Sequence, residues 1–217
     1  MAAVNPVPTS PFFNQPYWIG GAAEKTYVFL QANNLPQRMG GTAFTVAELG
    51  FGTGLSCLLT AHLAAQTATP LTFISYELHP VHPTELATLH ASFPPDLHPL
   101  SQTLLTQYKP HPGWNTLHFA TTTLHLFIGD AAEGILTHPQ LADCWFLDGF
   151  SPATNPDMWS AELLAHVFAH THPGGTASTY SAAGVVKQHL RAAGFQVRRH
   201  KGFPPKYHML TGLKQGS

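Results

Sequence analysis

Charge is what this chain has least of. Asp, Glu, Lys and Arg together make up 10% of its 217 residues, against roughly 25% in an ordinary soluble domain. Acidic residues disappear altogether after Glu162. Cysteine is almost as scarce: Cys57 and Cys144 stand alone, without C-x-x-C spacing. That excludes a disulfide-stapled scaffold, and both read as buried free thiols of a reducing compartment. Apolar runs stop well short of the roughly 18 residues of a membrane span, and no basic flank leads into a leader-like apolar run. The expectation is a cytoplasmic protein with no membrane partner. The 15 histidines do not cluster with Cys or carboxylates at metal-ligand spacing, so no metal is expected. Internal repeats and low-complexity segments are also lacking.

What is present is an apolar fraction of 44%, enough for a substantial core in one main domain. The central stretch is Phe44 to Leu55, F-T-V-A-E-L-G-F-G-T-G-L. An apolar run carrying Glu48 leads into Gly50, Gly52 and Gly54, and an apolar helical run follows. Strand, glycine loop and helix open a doubly wound α/β domain. The glycines admit a ligand close to the backbone, and the N–H groups at the helix start face it. A dinucleotide fingerprint needs G-x-G-x-x-G. Leu55 sits where that pattern wants glycine, which argues against an NAD(P) dehydrogenase. E-x-G-x-G-x-G instead resembles the first motif of class I S-adenosylmethionine (SAM) methyltransferases. The fold expected is their Rossmann-like α/β fold, a mostly parallel sheet with helices on both faces. Residues 1–40 read as an N-terminal extension packed on the core, and residues 41–217 as the methyltransferase domain.

Along the chain, residues 1–11 read as a loose arm. Phe12, Phe13, Tyr17 and Trp18 form an aromatic knot that packs on the body or makes the lip of a site. Ala22 to Ala32 reads as a helix ended by N-N-L-P. Leu71 to Tyr76 is a strand ending in Glu77, about 20 residues past the glycines, where a carboxylate accepts ribose hydroxyls or caps a helix. Thr84 to Phe93 and Leu100 to Tyr108 read as helices, and Thr116 to Ala120 and Thr122 to Ile128 as strands. Asp130 caps the next helix, and from there it can also bind an adenine amino group. Ala142 to Leu147 is a buried strand ending in Asp148, where α/β folds bind ligands. Pro156 to Trp159 leads into a helix reaching His170, which H-P-G-G ends. Thr176 to Tyr180 and Phe195 to Arg199 are strands around a helix at Gly184 to Ala193, and His208 to Leu213 is the last strand. Seven of the ten basic residues follow Glu162. They make either a phosphate-binding face or a solvated surface. Lys187 and Arg191 share one helix face, and strand alternation sends Arg198 and Arg199 to opposite sides.

These motifs together resemble one family. A-E-L-G-F-G-T-G-L, F-I-S-Y-E, G-D, D-C-W-F-L-D-G-F-S-P-A-T-N-P-D-M-W, P-G-G-T-A-S-T-Y-S-A-A-G and K-G-F look like the methyltransferase domain of the bacterial bifunctional tRNA 5-methylaminomethyl-2-thiouridine enzymes. T-Y-V-F-L with Asn33 and Leu35 resembles their N-terminal signature. The resemblance implies SAM-dependent methylation of an aminomethyl group on the wobble uridine of tRNA. It implies SAM as cofactor, held by Glu48, Gly50, Gly52, Gly54, Glu77 and Asp130, and tRNA as partner. Asp148 is the expected catalytic carboxylate. Phe150 is expected to stack on the base or to pack in the core. Lys187, Arg191 and Lys201 are expected to hold tRNA. The family's flavin oxidase domain would follow this one, so the expectation is a stand-alone form without FAD, fed by a separate enzyme. The family's K-G-F-G-R-K-R-E-M is K-G-F-P-P-K-Y-H-M here, and its T-S-A-G is S-A-A-G (Ser181 to Gly184). Both departures touch tRNA contact. A small-amine methyltransferase and a catalytically silent RNA-binding module of the same fold are the alternatives.

Overall fold

A computed structural model describes residues 7–216; the first six residues of the expected loose arm lie outside it. The chain begins with a small hairpin, β1 (Thr9–Ser10) against β2 (Gln15–Pro16). Helix α1 (Gly21–Lys25) runs directly into a π-helical turn, Thr26–Gln31, and a short α2 (Leu35–Arg38) follows. The single helix expected over 22–32 is therefore α in its first part and π in its second. The wider turn buries three successive side chains, Val28, Phe29 and Leu30, which the 3.6-residue period of an α-helix would spread around its axis.

The body alternates strand and helix. β3 (Phe44–Leu49), α3 (Leu55–Gln66), β4 (Leu71–Glu77), α4 (Pro83–His90) and α5 (His98–Gln107) come first. β5 (Gly113–Phe119), β6 (Thr122–Ile128), α6 (Ala131–Leu136) and β7 (Ala142–Leu147) follow. The chain closes with α7 (Ala161–Ala169), β8 (Thr171–Thr179), α8 (Gly184–Ala193), β9 (Gln196–Lys201) and β10 (His208–Leu213). The sheet order is β5-β6-β4-β3-β7-β8-β10-β9. Its centre, from β6 to β8, is parallel, and β5 and β10 add antiparallel neighbours. Local chemistry sets the helix starts. Ser160 Oγ accepts from Leu163 N–H at the start of α7, and Pro83 and Pro99 occupy first-turn positions of α4 and α5, where the missing N–H costs nothing. β8 begins five residues earlier than the expected strand. It pairs Thr171 with Ala142, bulges through H-P-G-G, and resumes with Thr176 opposite Cys144.

Strand alternation divides the core into two layers. Val46, Phe73, Leu126, Cys144 and Phe146 face α3, α4, α5 and the N-terminal helices. Ala47, Leu49, Ile74, Tyr76, Trp145 and Leu147 face α6, α7 and α8. Both cysteines are buried and free. The same alternation places Glu48, Ser75, Glu77 and Asp148 in phase with the first layer: Glu48 follows Val46 and Asp148 follows Phe146 by two positions, and Ser75 and Glu77 follow Phe73 by two and four. No helix among the described residues is long and apolar enough to cross a membrane, and no group of three potential metal ligands forms among them.

Trp145 anchors the second layer. It is fully buried and lies parallel to the Tyr76 ring at a centroid distance of 6.2 Å. Trp145→Ala leaves a cavity in a layer that cannot collapse around it, and the expected cost is about 3–5 kcal/mol, read as a lower urea midpoint at unchanged slope.

Candidate active site

The parallel strands deliver their carboxyl ends to one cavity of about 940 Å³. Gly50, Phe51, Gly52 and Thr53 form one wall, Glu77 and Asp130 another, and Asp148 and Phe150 a third. Gly50 has φ +88°, and a Cβ there would lie 2.7 Å from the Asp148 carbonyl oxygen. No side chain fits between the two backbones. Gly52, at φ +53°, sits against the Tyr17 ring, 3.1 Å from where its Cβ would be. Gly54 is the left-handed residue that starts α3 and lies beside the Phe51 ring rather than in the cavity wall.

The carboxylates divide by environment. Glu48 is 1% exposed and lies outside the cavity wall, accepting from Ser75 Oγ at 2.9 Å. Burial pushes its carboxyl well above the usual range, and nearby Asp148 adds to the shift. Glu77 accepts from Gly52 N–H at 2.7 Å with one oxygen and from His79 N–H at 2.8 Å with the other. It therefore ties the glycine loop to the end of β4. Burial raises its pKa, opposed by those backbone donors. Asp130 caps α6, accepting from Ala132 N–H at 2.7 Å, and remains exposed at the cavity edge.

Asp148 forms an ion pair with Lys25, the last residue of α1, and the two side chains are 11% and 8% exposed. Burial pushes Asp148 up to about 6, while the Lys25 ammonium pulls it down. Lys206 reaches the cavity from the loop before β10, with its Nζ 3.4 Å from the centre of the Tyr180 ring. Desolvation lowers its pKa. Tyr180 donates its hydroxyl to Gly149 O at 2.6 Å, and Trp159 Nε1–H donates to Phe150 O at 2.7 Å. Together they hold the Gly149-Phe150 turn.

Phe150 faces the cavity, where the N-terminal hairpin covers it. Phe13 stacks on it at 4.7 Å, and Tyr17 is tilted against it at 5.7 Å. Gln15 accepts from Ser151 N–H at 3.1 Å, and Phe12 stacks on His79 at 4.0 Å. The aromatic group expected to pack on the body or to form the lip of a site does both: Phe13 and Tyr17 line the cavity, and Trp18 also packs edge-on against Phe93 of the core. Lys187, Arg191 and Lys201 are not in the cavity wall. Lys187 and Arg191 lie along α8, whose preceding residues Ser181 to Ala183 line the rim, and Lys201 is exposed at the end of β9. Arg198 and Arg199 are both exposed, because β9 is the sheet edge. Sequence reasoning missed Lys25 and Tyr180. Lys25 carried a signal: it is one of three basic residues before position 163, set directly ahead of the T-Y-V-F-L stretch.

A glycine-walled cavity at the carboxyl ends of a parallel sheet, with a carboxylate closing the strand after the loop, defines the class I methyltransferase architecture. Residues 95–215 match the family described as S-adenosyl-L-methionine-dependent methyltransferase, and the chain belongs to that family. It is similar to the tRNA 5-methylaminomethyl-2-thiouridine biosynthesis bifunctional protein MnmC of Nitrosospira multiformis, 42% identical over 88% of this chain and 32% of that protein. The same-named protein of Aeromonas salmonicida is 40% identical over 94% of this chain and 33% of its own length. The chain spans about a third of the length of these curated relatives. Among solved structures, MnmC2 from Aquifex aeolicus superimposes with a TM-score of 0.78 at 20% identity, covering 94% of this chain and 65% of its own. SAM-bound CalS10, an amino pentose methyltransferase from Micromonospora echinaspora, has the same fold, with a TM-score of 0.52 at 12% identity over 91% of this chain and 92% of its own.

The residues present fit SAM. The Gly50 backbone lies where any Cβ would collide, and the loop, the Glu77 carboxylate and the α6 cap line one side of a cavity large enough for a nucleoside and more. Gly52→Val adds a β-branched side chain at positive φ and pushes on Tyr17, which strains the loop. SAM affinity by calorimetry is expected to fall at least about tenfold, with the far-ultraviolet circular dichroism unchanged.

Proposed function

We propose that this chain methylates the nitrogen of the 5-aminomethyl group on a (2-thio)uridine at the wobble position of tRNA, giving 5-methylaminomethyl-(2-thio)uridine. The observation that carries this reading is the 40–42% identity, across nearly the whole chain, to proteins named for biosynthesis of that nucleoside. Bound SAM supplies a methyl group on a positively charged sulfur, and the bonding pair stays with the sulfur when the acceptor attacks. In this reading Glu77 and the loop of Gly50 and Gly52 hold the cofactor, with Asp130 at its adenine end. Glu48 and Gly54 support that loop from outside the cavity.

An alkylamine is mostly protonated at neutral pH, as lysine's pKa of about 10.4 illustrates. A protonated nitrogen has no lone pair with which to form the N–C bond. Asp148, at the cavity floor, accepts that proton, aims the nitrogen and passes the proton to water. Phe150, flanked by Phe13 and Tyr17, offers an aromatic wall for a base taken out of its stack. The basic face of α8 and Lys201 hold backbone phosphates close to the rim formed by Ser181 to Ala183.

Two measurements test the reading. In the first, the protein is incubated with SAM and tRNA bearing 5-aminomethyl-(2-thio)uridine, and the nucleosides are analysed by mass spectrometry. A mass gain of one methyl on that nucleoside is expected. Asp148→Ala is expected to slow single-turnover transfer on the order of 100-fold while SAM affinity stays near that of the parent. Transfer to a free small amine but not to tRNA would favour the small-amine alternative. No transfer to either, with tRNA still bound, would favour the silent module.

In the second, tRNA affinity is titrated against salt for the parent and for the Lys187→Ala, Arg191→Ala, Lys201→Ala triple variant. Each lost phosphate contact is expected to lower the salt slope by about 0.7–0.9, with SAM affinity unchanged. Equal affinity and equal slope in the two proteins would make the basic end a solvated surface.

A further inference from the structure

We propose that Lys25 is a positioning residue for methyl transfer, holding one oxygen of Asp148 so that the other is presented to the acceptor nitrogen. This deepens the proposed function and rests on Asp148 as the proton acceptor.

The geometry has three parts. Lys25 Nζ donates to Asp148 Oδ2, and among the described residues Oδ1 accepts no hydrogen bond from the protein. Asp148 belongs to the cavity wall, so one carboxylate oxygen is tied and the other is open to a ligand. The acids near Lys25 are otherwise engaged. Glu24 accepts from Ile19 N–H at 2.8 Å and Gly20 N–H at 2.9 Å, closing the start of α1. Glu48 accepts from Ser75 Oγ. Lys25 is also pinned from behind, with its Nζ 5.4 Å from the centre of the Phe29 ring and that ring buried by the π-helical turn. A short α1 followed by a π-helical turn thus reaches over the sheet to set a single side chain on the end of β7.

The electrostatics follow from the burial. Asp148 is faced by Lys25 and Glu24 from α1, Glu48 from β3, Glu77 from β4, Tyr180 from the end of β8 and Lys206 from the loop before β10. Acids outnumber bases around it, and burial favours its neutral form, which accepts no proton. Lys25 is the closest opposing charge. It keeps the carboxylate ionised, and its positive charge disfavours a second ammonium beside it, so the protonated acceptor gives up its extra proton on binding. Its proton moves to Oδ1, the nitrogen lone pair forms the N–C bond, the C–S pair stays on sulfur, and Asp148 returns the proton to water.

The test begins without tRNA. Protein labelled with ¹³C at aspartate carboxyls is titrated by NMR, with the Asp148 signal assigned from Asp148→Asn. Lys25→Met is expected to raise the Asp148 midpoint from about 6 to above about 7, and Lys25→Arg is expected to leave it nearly in place. In kinetics, the acid limb of kcat/KM moves to higher pH by the same interval in Lys25→Met and returns in Lys25→Arg. A merely structural lysine would give a loss independent of pH. A folded Lys25→Met variant with an unmoved midpoint and an unchanged pH profile overturns the proposal. If that variant does not fold, Lys25→Met is placed on Asp148→Asn, which removes both buried charges. The double variant is expected to react as fast as Asp148→Asn alone, and a further tenfold loss would mean that Lys25 acts without Asp148. A midpoint that moves in a protein that leaves tRNA unmethylated would refute the tRNA reading and retain Lys25. Methylation of tRNA with an unmoved midpoint would do the reverse.

Discussion

Gly50 and Asp148 meet backbone to backbone at the centre of the sheet. β3 and β7 run side by side to their carboxyl ends, where Asp148 N–H donates to Leu49 O at 3.1 Å. The next residue of β3 lies so close to Asp148 that it has no room for a Cβ. The glycine loop and the acidic strand end are therefore one rigid piece. The loop turns away at Gly50 and the carboxylate stands up at Asp148, and both line the one cavity. Their separation is fixed by strand pairing rather than by flexible side chains. The rest of the site is arranged around that junction: Glu77 ties the loop from the β4 side, and Lys25 secures the carboxylate from above.

The alternating architecture was legible in the sequence because its signals are local. The apolar runs of β3, β4 and β7, the glycines after β3 and the capping group of α6 each lie within a few residues of what they specify. Glu77, Asp130, Asp148 and Phe150 stand at strand ends and so could be located from the strands alone. What the sequence concealed is long-range. Lys25 and Asp148 are 123 positions apart, and Tyr17 and Gly52 are equally unmarked as neighbours. The π-helical turn has no distinguishing composition. The early start of β8 was masked by H-P-G-G, which reads as a stop but acts as a bulge. Glu48 precedes the glycines as a ligand would, yet it lies within the strand, in register with Ser75, and accepts from that hydroxyl.

The low charge content takes on meaning once the acids are placed. Glu24, Glu48, Glu77 and Asp148, four of eleven acids, surround one cavity floor. All but Asp148 accept from neutral donors, backbone N–H groups or the Ser75 hydroxyl. Hydrogen-bonded carboxylates tolerate burial far better than bare ones. Asp148 has a charged partner instead, which leaves half of its acceptor capacity unused. What sets Asp148 apart from the other three acids is thus the kind of partner, not the degree of burial.

β9 forms the outer edge of the sheet and displays Arg198, Arg199, His200 and Lys201, all exposed. An uncovered strand edge is a template for pairing with another chain. Here a second copy approaching edge to edge would set Arg198, Arg199 and Lys201 against the same cations. That run of charge therefore guards the sheet against self-assembly, and neutralising it would expose the protein to aggregation along this edge.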